Sequence, residues 1–459
     1  MSREGEFDVV VAGAGGAGCA AALAAADAGL SVLLLDHLPT FRRGCNTYMS
    51  TSMIPAAGTR WQRAAGVDDS PEVFLDDIMR KTKGSAYDVI ARSLTEVGPQ
   101  LIEWLADAQG LPLELATDFN YPGHSRFRCH TLPERSGHAL HGRLMARVDA
   151  NEEIVLASPM AIRDVRLDAA GRVSAAIVAD AAGAEEAVAT PNVVLATGGF
   201  GANHELVTSL IPEIAEALYF GSEGCTGDAL RIGRGHGVDT GYLDAYQGHG
   251  SVATPNGIMV TWATVMHGAV IVNADGRRFG NETTGYSEYA REVLRQPGGV
   301  AWVVLDERID LLCRSFGDYA DLVESQGIDR SESAEALAAR MGCAPATLQE
   351  TLEAARDSAE GGMDQFARRF WEAPLVPPYV SIKVTGALFH TQGGLLTDGE
   401  GAVLHGGSPI AGLFAAGGAA AGISGHGPDG YLAGNGLLAA LGLGYLAGRA
   451  VARSSVGTA

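Results

Sequence analysis

The stretch Phe7-Asp8-Val9-Val10-Val11-Ala12-Gly13-Ala14-Gly15-Gly16-Ala17-Gly18 decides how this chain is read. The apolar run from Phe7 to Val11 predicts a buried strand, and the GxGxxG turn behind it opens a helix predicted over residues 19–28 and closed by Gly29. A second strand, predicted over residues 31–35, ends on Asp36. In such a βαβ unit Gly13 permits the tight turn, Gly15 lets backbone N–H groups approach a pyrophosphate, and Gly18 lets the helix pack on the sheet. Asp36, 18 residues past Gly18, accepts hydrogen bonds from an adenosine ribose. Strand, turn, helix, cap, strand and acid all fall in register, so a dinucleotide is the expected ligand.

The 459 residues predict two or three domains with a large core. Hydrophobic residues make up 47% and charged residues 19%, with no run of 18 apolar residues to span a bilayer. The opening residues 1–7 lead straight into the first strand, so no signal peptide and a cytoplasmic location are expected. A net charge of -21 argues against nucleic acid and anionic membranes as partners. Cys19, Cys45, Cys129, Cys225, Cys313 and Cys343 lack CxxC spacing, and no His/Asp/Glu spacing matches a ligand set. Reduced thiols and no metal are expected.

Residues 44–59 are rich in Gly, Ser and Thr without periodicity and read as a ligand-wrapping loop. Residues 71–110 read as two amphipathic helices, 154–188 as a β-meander, and 193–200 as a buried strand entering a Gly turn. Charged helices then set residues 246–375 apart as an inserted domain. A final strand over 412–417 precedes a Gly-rich turn and an apolar helix over 437–452. The predicted fold is α/β: a Rossmann-like domain with a β-meander (1–245 and 376–459) and an inserted, mobile α+β capping domain (246–375). The turn Gly430-Tyr-Leu-Ala-Gly-Asn-Gly436 opens a second helix whose amides suit the pyrimidine edge of a flavin. FAD is therefore the expected dinucleotide.

In this order, the dinucleotide turn, Gly44-Cys-Asn-Thr47, Ala196-Thr-Gly-Gly199, Thr226-Gly-Asp228, Arg277-Arg-Phe-Gly-Asn-Glu282, Thr391-Gln-Gly-Gly-Leu395, residues 412–417 and Tyr431-Leu-Ala-Gly-Asn-Gly436 resemble the fumarate reductase/succinate dehydrogenase flavoprotein superfamily. The likeness is to its soluble branch, which includes 3-ketosteroid and tricarballylate dehydrogenases, and it covers nearly the whole chain. It implies FAD contacts from Gly13, Gly15, Gly16, Ala17, Gly18, Asp36 and His37 at the AMP end, and from Gly44, Cys45, Asn46, Thr47, Ser50, Thr51 and Ser52 in the wrapping loop. Ala196, Thr197, Gly198, Asp228, Gly417, Gly434, Asn435, Gly436 and Leu437 complete the set. Asn46 stands where the family carries its covalent flavin histidine, so noncovalent FAD is implied. Gly418 replaces the glutamate that often follows the last strand.

The family's substrate clamps are only partly matched. His249 falls on its first histidine and Thr261 on its threonine, whereas Phe389, with His390 beside it, takes the second histidine position. Tyr286 stands in place of the proton-donating arginine and Tyr431 in place of the carboxylate-binding arginine. Trp262 and Val265 replace the glutamate and arginine that feed the donor. A neutral tyrosine cannot clamp a carboxylate bidentately, so the departures argue against fumarate reduction and toward ketosteroid-dehydrogenase chemistry.

The expected activity is FAD-dependent dehydrogenation (desaturation) beside a carbonyl or carboxylate, in a small cyclic keto acid or polycarboxylate. Hydride would go to the flavin and the α proton to a tyrosine. Tyr286, His249 and Tyr431 are the expected catalytic residues, although a tyrosine of pKa about 10 costs roughly 4 kcal/mol to ionise at pH 7. A basic cluster, His124, Arg126, Arg128 and His130 with Arg135 nearby, is the expected anion clamp; the alternative is an ordinary surface loop. Thr261, Tyr379, Phe389 and His390 complete the expected substrate contacts. Electrons would leave to oxygen, a quinone or an electron-transfer protein. The alternatives are an enoate reductase resembling fumarate reductase and a noncatalytic flavin redox sensor.

Overall fold

The computed structural model describes residues 6–118 and 120–456. The reading of residues 1–5 as a short lead lies outside the described residues. The chain forms two compact units, one made of residues up to Pro212, Gly221–Tyr246 and everything from His390 onward, the other of Glu213–Phe220 and Gln247–Phe389.

The first unit is built on a six-stranded sheet in the order Ala402–His405, Ser408–Ala415, Val193–Leu195, Val9–Ala12, Val32–Leu35, Ile154–Ala157. All neighbours are parallel except the first pair. The three central strands are wholly apolar and fully buried, the pattern of a parallel sheet covered on both faces. Ala12 lies level with Leu35 and Leu195, so three strands end together at their C-terminal edge, where such sheets bind ligands. The meander is Met160–Leu167, Val173–Asp180 and Glu185–Ala189, all antiparallel.

The first helix runs Gly16–Ala26, starting three residues before the predicted position because Gly15 is its N-cap. All of its residues are buried, since the last helix, Asn435–Val456, lies along it. A Cβ on Gly444 would stand 2.3 Å from the Ala17 carbonyl oxygen, and one on Gly448 2.5 Å from that of Ala21. The glycines that interrupt the apolar pattern thus let two helices meet backbone to backbone. Among the described residues no helix is long and apolar enough to cross a membrane.

The second unit has its own core, centred on Val270, Val303, Val304, Ile382 and Val384. Its sheet runs Ile258–Met259, Tyr246–Ala253, Tyr379–Thr391, Val300–Asp306, Val270–Val272. The strand Tyr379–Thr391 also pairs with the short strand Leu218–Tyr219, Leu218 opposite Ala387. This pairing draws residues 213–220 into the second unit, although in sequence they sit inside the first.

Candidate active site

In the phosphate turn the three motif glycines differ in what they exclude. Gly13 has φ +108°, and a Cβ there would lie 2.2 Å from the Ala196 carbonyl oxygen; one on Gly18 would lie 1.7 Å from that of Gly13. A Cβ on Gly15 would meet nothing closer than the Cys45 Cβ at 3.9 Å. Positions 13 and 18 are therefore glycine for packing, while position 15 opens a cradle at the helix N-terminus. That helix has no side-chain N-cap and no acid in its first turn, which leaves its positive end for an anion. Gly16 N–H donates to Thr47 Oγ1 at 2.9 Å, tying the wrapping loop to the turn. Asp36 accepts from Ala14 N–H and from Leu38 N–H, each at 2.9 Å, so it braces the turn as well as standing at the strand end where a ribose would lie. His37 is beside it, with Nδ1 3.9 Å from the carboxylate.

The wrapping loop follows the turn Phe41–Gly44. Asn46 accepts from Ser222 N–H at 2.6 Å through Oδ1 and reaches Cys225 Sγ at 3.5 Å through Nδ2, an uncharged amide with no nucleophile for a covalent flavin link. Burial pushes the Cys45 thiol up to about 12. Ser50 donates to the Thr47 carbonyl at 2.8 Å, Ser52 meets Thr131 hydroxyl to hydroxyl at 2.7 Å, and Thr51 lies between them, half-buried. Ala196 and Gly198 continue from the strand Val193–Leu195, and Gly417 approaches Ala17, with 3.1 Å left for a Cβ. A side chain at Gly418 would collide with Gly199 N at 2.7 Å, which accounts for the missing glutamate. Asp228 sits in the first turn of Asp228–Gly235, paired with Arg231 at 3.2 Å. Among the described residues, Thr197 Oγ1 and Asn435 Oδ1 are two of several buried polar atoms of this unit without a hydrogen-bond partner. With the Gly15 cradle they fit a bound dinucleotide.

At the second helix N-terminus, Gly434 (φ +83°) packs on Pro55, Leu437 enters the core, and Gly436 N–H donates to the Tyr431 hydroxyl at 3.4 Å. His390 lies edge-on to Tyr431, ring centroids 5.9 Å apart. Gln392 reaches His390 Nδ1 at 3.0 Å and accepts from Ser424 Oγ at 3.1 Å; Ser424 in turn receives Asn435 Nδ2 at 3.5 Å. Burial pulls the His390 imidazole down to about 4. Gln392 lies within the motif Thr391–Leu395, whereas Ser424 carries no sequence signal, because its partner Gln392 is 32 residues away.

In the second unit a column of four rings forms. Phe220 stacks on Phe389 (4.9 Å, 23°), Phe389 on His249 (5.0 Å, 17°) and His249 on Tyr286 (5.0 Å, 27°). Trp262 meets His249 edge-on at 5.8 Å. Glycine makes this possible. A Cβ on Gly248 would stand 2.7 Å from Ala290 Cβ and from the Ser287 carbonyl, so only glycine lets the helix Tyr286–Leu294 sit on the histidine's strand. Gly248 N–H also donates to Ser287 Oγ at 3.0 Å. Thr261, buried, accepts from Ala263 N–H at 3.4 Å. Behind the column Arg278 makes a bidentate pair with Glu282 at 2.8 Å, and Arg368 joins it at 3.3 Å while donating to the Val265 carbonyl at 2.9 Å. The Arg277–Glu282 motif thus braces the unit from within.

Two expected substrate groups are corrected. Tyr379 lies in the core of the second unit opposite Asp306, ten residues along one strand from Phe389, or about 33 Å at strand rise. It cannot share a small ligand with His249. The basic cluster is an internal brace. Arg128, 1% exposed, holds Asp69 bidentately at 3.1 and 3.0 Å and Asp77 at 2.7 Å, and lies over the Phe74 ring. Arg126 donates to the Asp68 and Ser125 carbonyls, both at 3.0 Å, and Arg135 pairs with Asp118 at 2.7 Å. His130 Nε2 meets Thr59 Oγ1 at 2.8 Å and His124 Nε2 the Ala433 carbonyl at 3.0 Å. Burial pulls both imidazoles down to about 4, so neither is a cation at neutral pH. Arg128, His124 and His130 thus spend their donors on the fold.

A parallel sheet with an open phosphate turn and a second helix N-terminus define a dinucleotide-binding fold. The chain belongs to the FAD_binding_2 family (FAD binding domain), whose model matches residues 8–437, within the fumarate reductase/succinate dehydrogenase flavoprotein superfamily. Its relatives include fumarate reductases, such as the probable fumarate reductase Ifc3 of Shewanella frigidimarina (strain NCIMB 400), 30% identical over 91% of this chain and 70% of that protein. The chain is 31% identical to the NADH:fumarate oxidoreductase of Klebsiella pneumoniae (strain 342) across 98% of its own length, but spans only 48% of that protein. Among solved structures it superposes on the open conformation of a flavocytochrome c3 fumarate reductase (TM-score 0.81, 27% identity, 98% of this chain and 79% of that one). It superposes equally completely on the 3-ketosteroid-Δ4-(5α)-dehydrogenase from Rhodococcus jostii RHA1 in complex with 4-androstene-3,17-dione (TM-score 0.77, 26% identity, 98% of both chains).

Proposed function

We propose that this chain desaturates neutral cyclic ketones, forming a C=C bond α,β to the carbonyl. The observation that carries this reading is the column Phe220–Phe389–His249–Tyr286, which offers aromatic faces and uncharged polar groups where a dicarboxylate enzyme needs cations. Arginines of the same unit are committed elsewhere: Arg278 and Arg368 to Glu282, Arg291 and Arg295 to Glu292, Arg308 to Glu372, and Arg314 and Arg330 to Asp310. The end-to-end likeness to a ketosteroid dehydrogenase supports the same direction.

FAD, when bound, would supply the two-electron acceptor for the β hydrogen. The first unit holds it through the Gly13–Gly18 turn, Thr47, Thr197 and the Asn435 helix end. The remaining work is proton chemistry: Tyr286, acting as its phenolate, takes the α proton as the C–H pair collapses to the double bond, while Phe220 at the end of the column packs on the ring. Electrons leave to an external acceptor, oxygen, a quinone or an electron-transfer protein. The test is anaerobic mixing of the holoenzyme with a cyclohexanone or 3-ketosteroid, which should bleach the flavin; Tyr286→Phe should retain FAD and lose about 100-fold or more of that rate.

The second reading, enoate reduction, is supported by the likeness to NADH:fumarate oxidoreductase. Oxidation of reduced viologen by fumarate, with no ketone bleaching, would select it.

A further inference from the structure

Three consecutive peptide groups of the phosphate turn are braced, each by different partners. Asp36 accepts from Ala14 N–H at 2.9 Å and holds the peptide of residues 13 and 14. The peptide of residues 15 and 16 is held at both ends: Cys19 N–H donates to the Gly15 carbonyl at 2.9 Å, and Gly16 N–H to Thr47 Oγ1 at 2.9 Å. Between these two peptides, His141 Nε2 donates to the Ala14 carbonyl at 2.8 Å. The other donor on that oxygen is the Cys19 thiol at 3.4 Å, a weak one. Gly15 N–H makes no hydrogen bond among the described residues.

The imidazole is fixed by its helix, Gly137–Asp149, where it is 1% exposed. At one end of that helix Gly137 N–H donates to the Ser50 carbonyl at 2.6 Å, and a Cβ on Gly137 would stand 2.2 Å from the Thr47 carbonyl oxygen. At the other end Asp149 pairs bidentately with Arg42 at 2.7 and 3.0 Å, and Met145 meets Cys19 Sγ at 3.5 Å. His141 Nδ1 lies 3.4 Å from the Arg42 carbonyl, with Phe41 edge-on to the ring. Both ring nitrogens face carbonyl oxygens, which only accept, so the imidazole acts as a donor, and its shorter contact is the one to Ala14.

In a planar trans peptide the C=O and the following N–H point opposite ways. Ala14 and Gly15 are joined in this way, so the pull of His141 on the Ala14 oxygen turns the Gly15 N–H away from the helix Gly137–Asp149. Otherwise only the weak thiol resists a flip. Half a turn of this peptide changes φ of Gly15, which is −73°, to a positive value that glycine accepts and other residues resist. The flipped peptide would offer an anion a carbonyl oxygen in place of an N–H. The glycine that opens the cradle therefore also frees its peptide to rotate, and a lock is required.

We propose that His141 is a positioning residue for the cofactor: its hold on the Ala14 carbonyl keeps the Gly15 N–H turned toward the pyrophosphate of FAD. It acts through this one peptide, from the side opposite the N–H.

Equilibrium dialysis of the full-length holoenzyme against graded FAD measures the dissociation constant. His141→Met, which keeps bulk and loses the donor, should raise it about tenfold or more, whereas His141→Gln, which keeps an N–H donor, should stay within about threefold of wild type. The 31P resonances of the bound pyrophosphate should move in His141→Met and return in His141→Gln, a signature that loss of packing alone does not give. Wild-type affinity in His141→Met, or an equal loss in both variants, would overturn the proposal. Should His141→Met fail to fold, a crystal structure of the FAD-loaded wild type decides. Gly15 N–H on a phosphate oxygen, with His141 Nε2 still on the Ala14 carbonyl, supports the proposal; a pyrophosphate held without the Gly15 N–H refutes it.

Discussion

The phosphate turn and the aromatic column are built by opposite means. The turn works by absence: Gly13 and Gly18 are glycine because backbone occupies the space, and Gly15 leaves open space at the helix N-terminus. The column works by presence, with four side chains drawn from residues 220, 249, 286 and 389 held at spacings of 4.9 to 5.0 Å. A backbone cradle tolerates almost no change at its glycines. A side-chain stack degrades gradually, because each ring contributes separately.

The largest effect should come from Gly18→Ala, whose Cβ would stand 1.7 Å from the Gly13 carbonyl oxygen. It should cost about 3 kcal/mol or more and yield protein without flavin, read as thermal midpoint and FAD content. Gly15→Ala, with 3.9 Å of clearance, should fold normally and weaken FAD alone; equal damage from both would break the contrast.

Next, Arg128→Ala should destabilise by about 3–5 kcal/mol, since it strands Asp69 and Asp77 in the interior. Denaturant unfolding measures this. A variant of normal stability with a raised KM would return Arg128 to the substrate.

Stability should also fall as pH drops from about 6.5 toward 4. Burial lowers His124, His130 and His390 in the first unit to about 4 and His249 in the second to about 3. Between those values and the unfolded pKa the unfolded chain binds protons that the native one refuses, so acid favours unfolding; above about 6.5 both states are neutral and the effect vanishes. His130→Asn should flatten the slope of thermal midpoint against pH.

The smallest effect should come from Phe220→Leu, which removes one end of the column. A rise in KM for a cyclic ketone of about three- to tenfold, with kcat little changed, would mark Phe220 as part of the ring-binding surface.

The division of the molecule follows the same contrast. Gly13 to Gly18, the paired strands and the Ala-rich helix were legible because each is a local pattern whose meaning depends on its neighbours in sequence. The Arg126–Arg135 cluster misled for the opposite reason. Its charge density is local, but its partners Asp69 and Asp77 lie 59 and 51 residues from Arg128. Tyr379 misled because strand length, not residue type, decides what it reaches. His249 is placed by resemblance, whereas its stacking on Tyr286 and Phe389 is set by packing.

By itself the sequence determined the cofactor end of this protein, because backbone geometry there is written in glycines at fixed spacing. Only the tertiary structure decided which distant side chains meet. Phe220 reaches Phe389 through the pairing of Leu218 with Ala387, and Arg128 meets its acids inside the core. Contacts between residues distant in the chain are set by packing, and no local pattern encodes them.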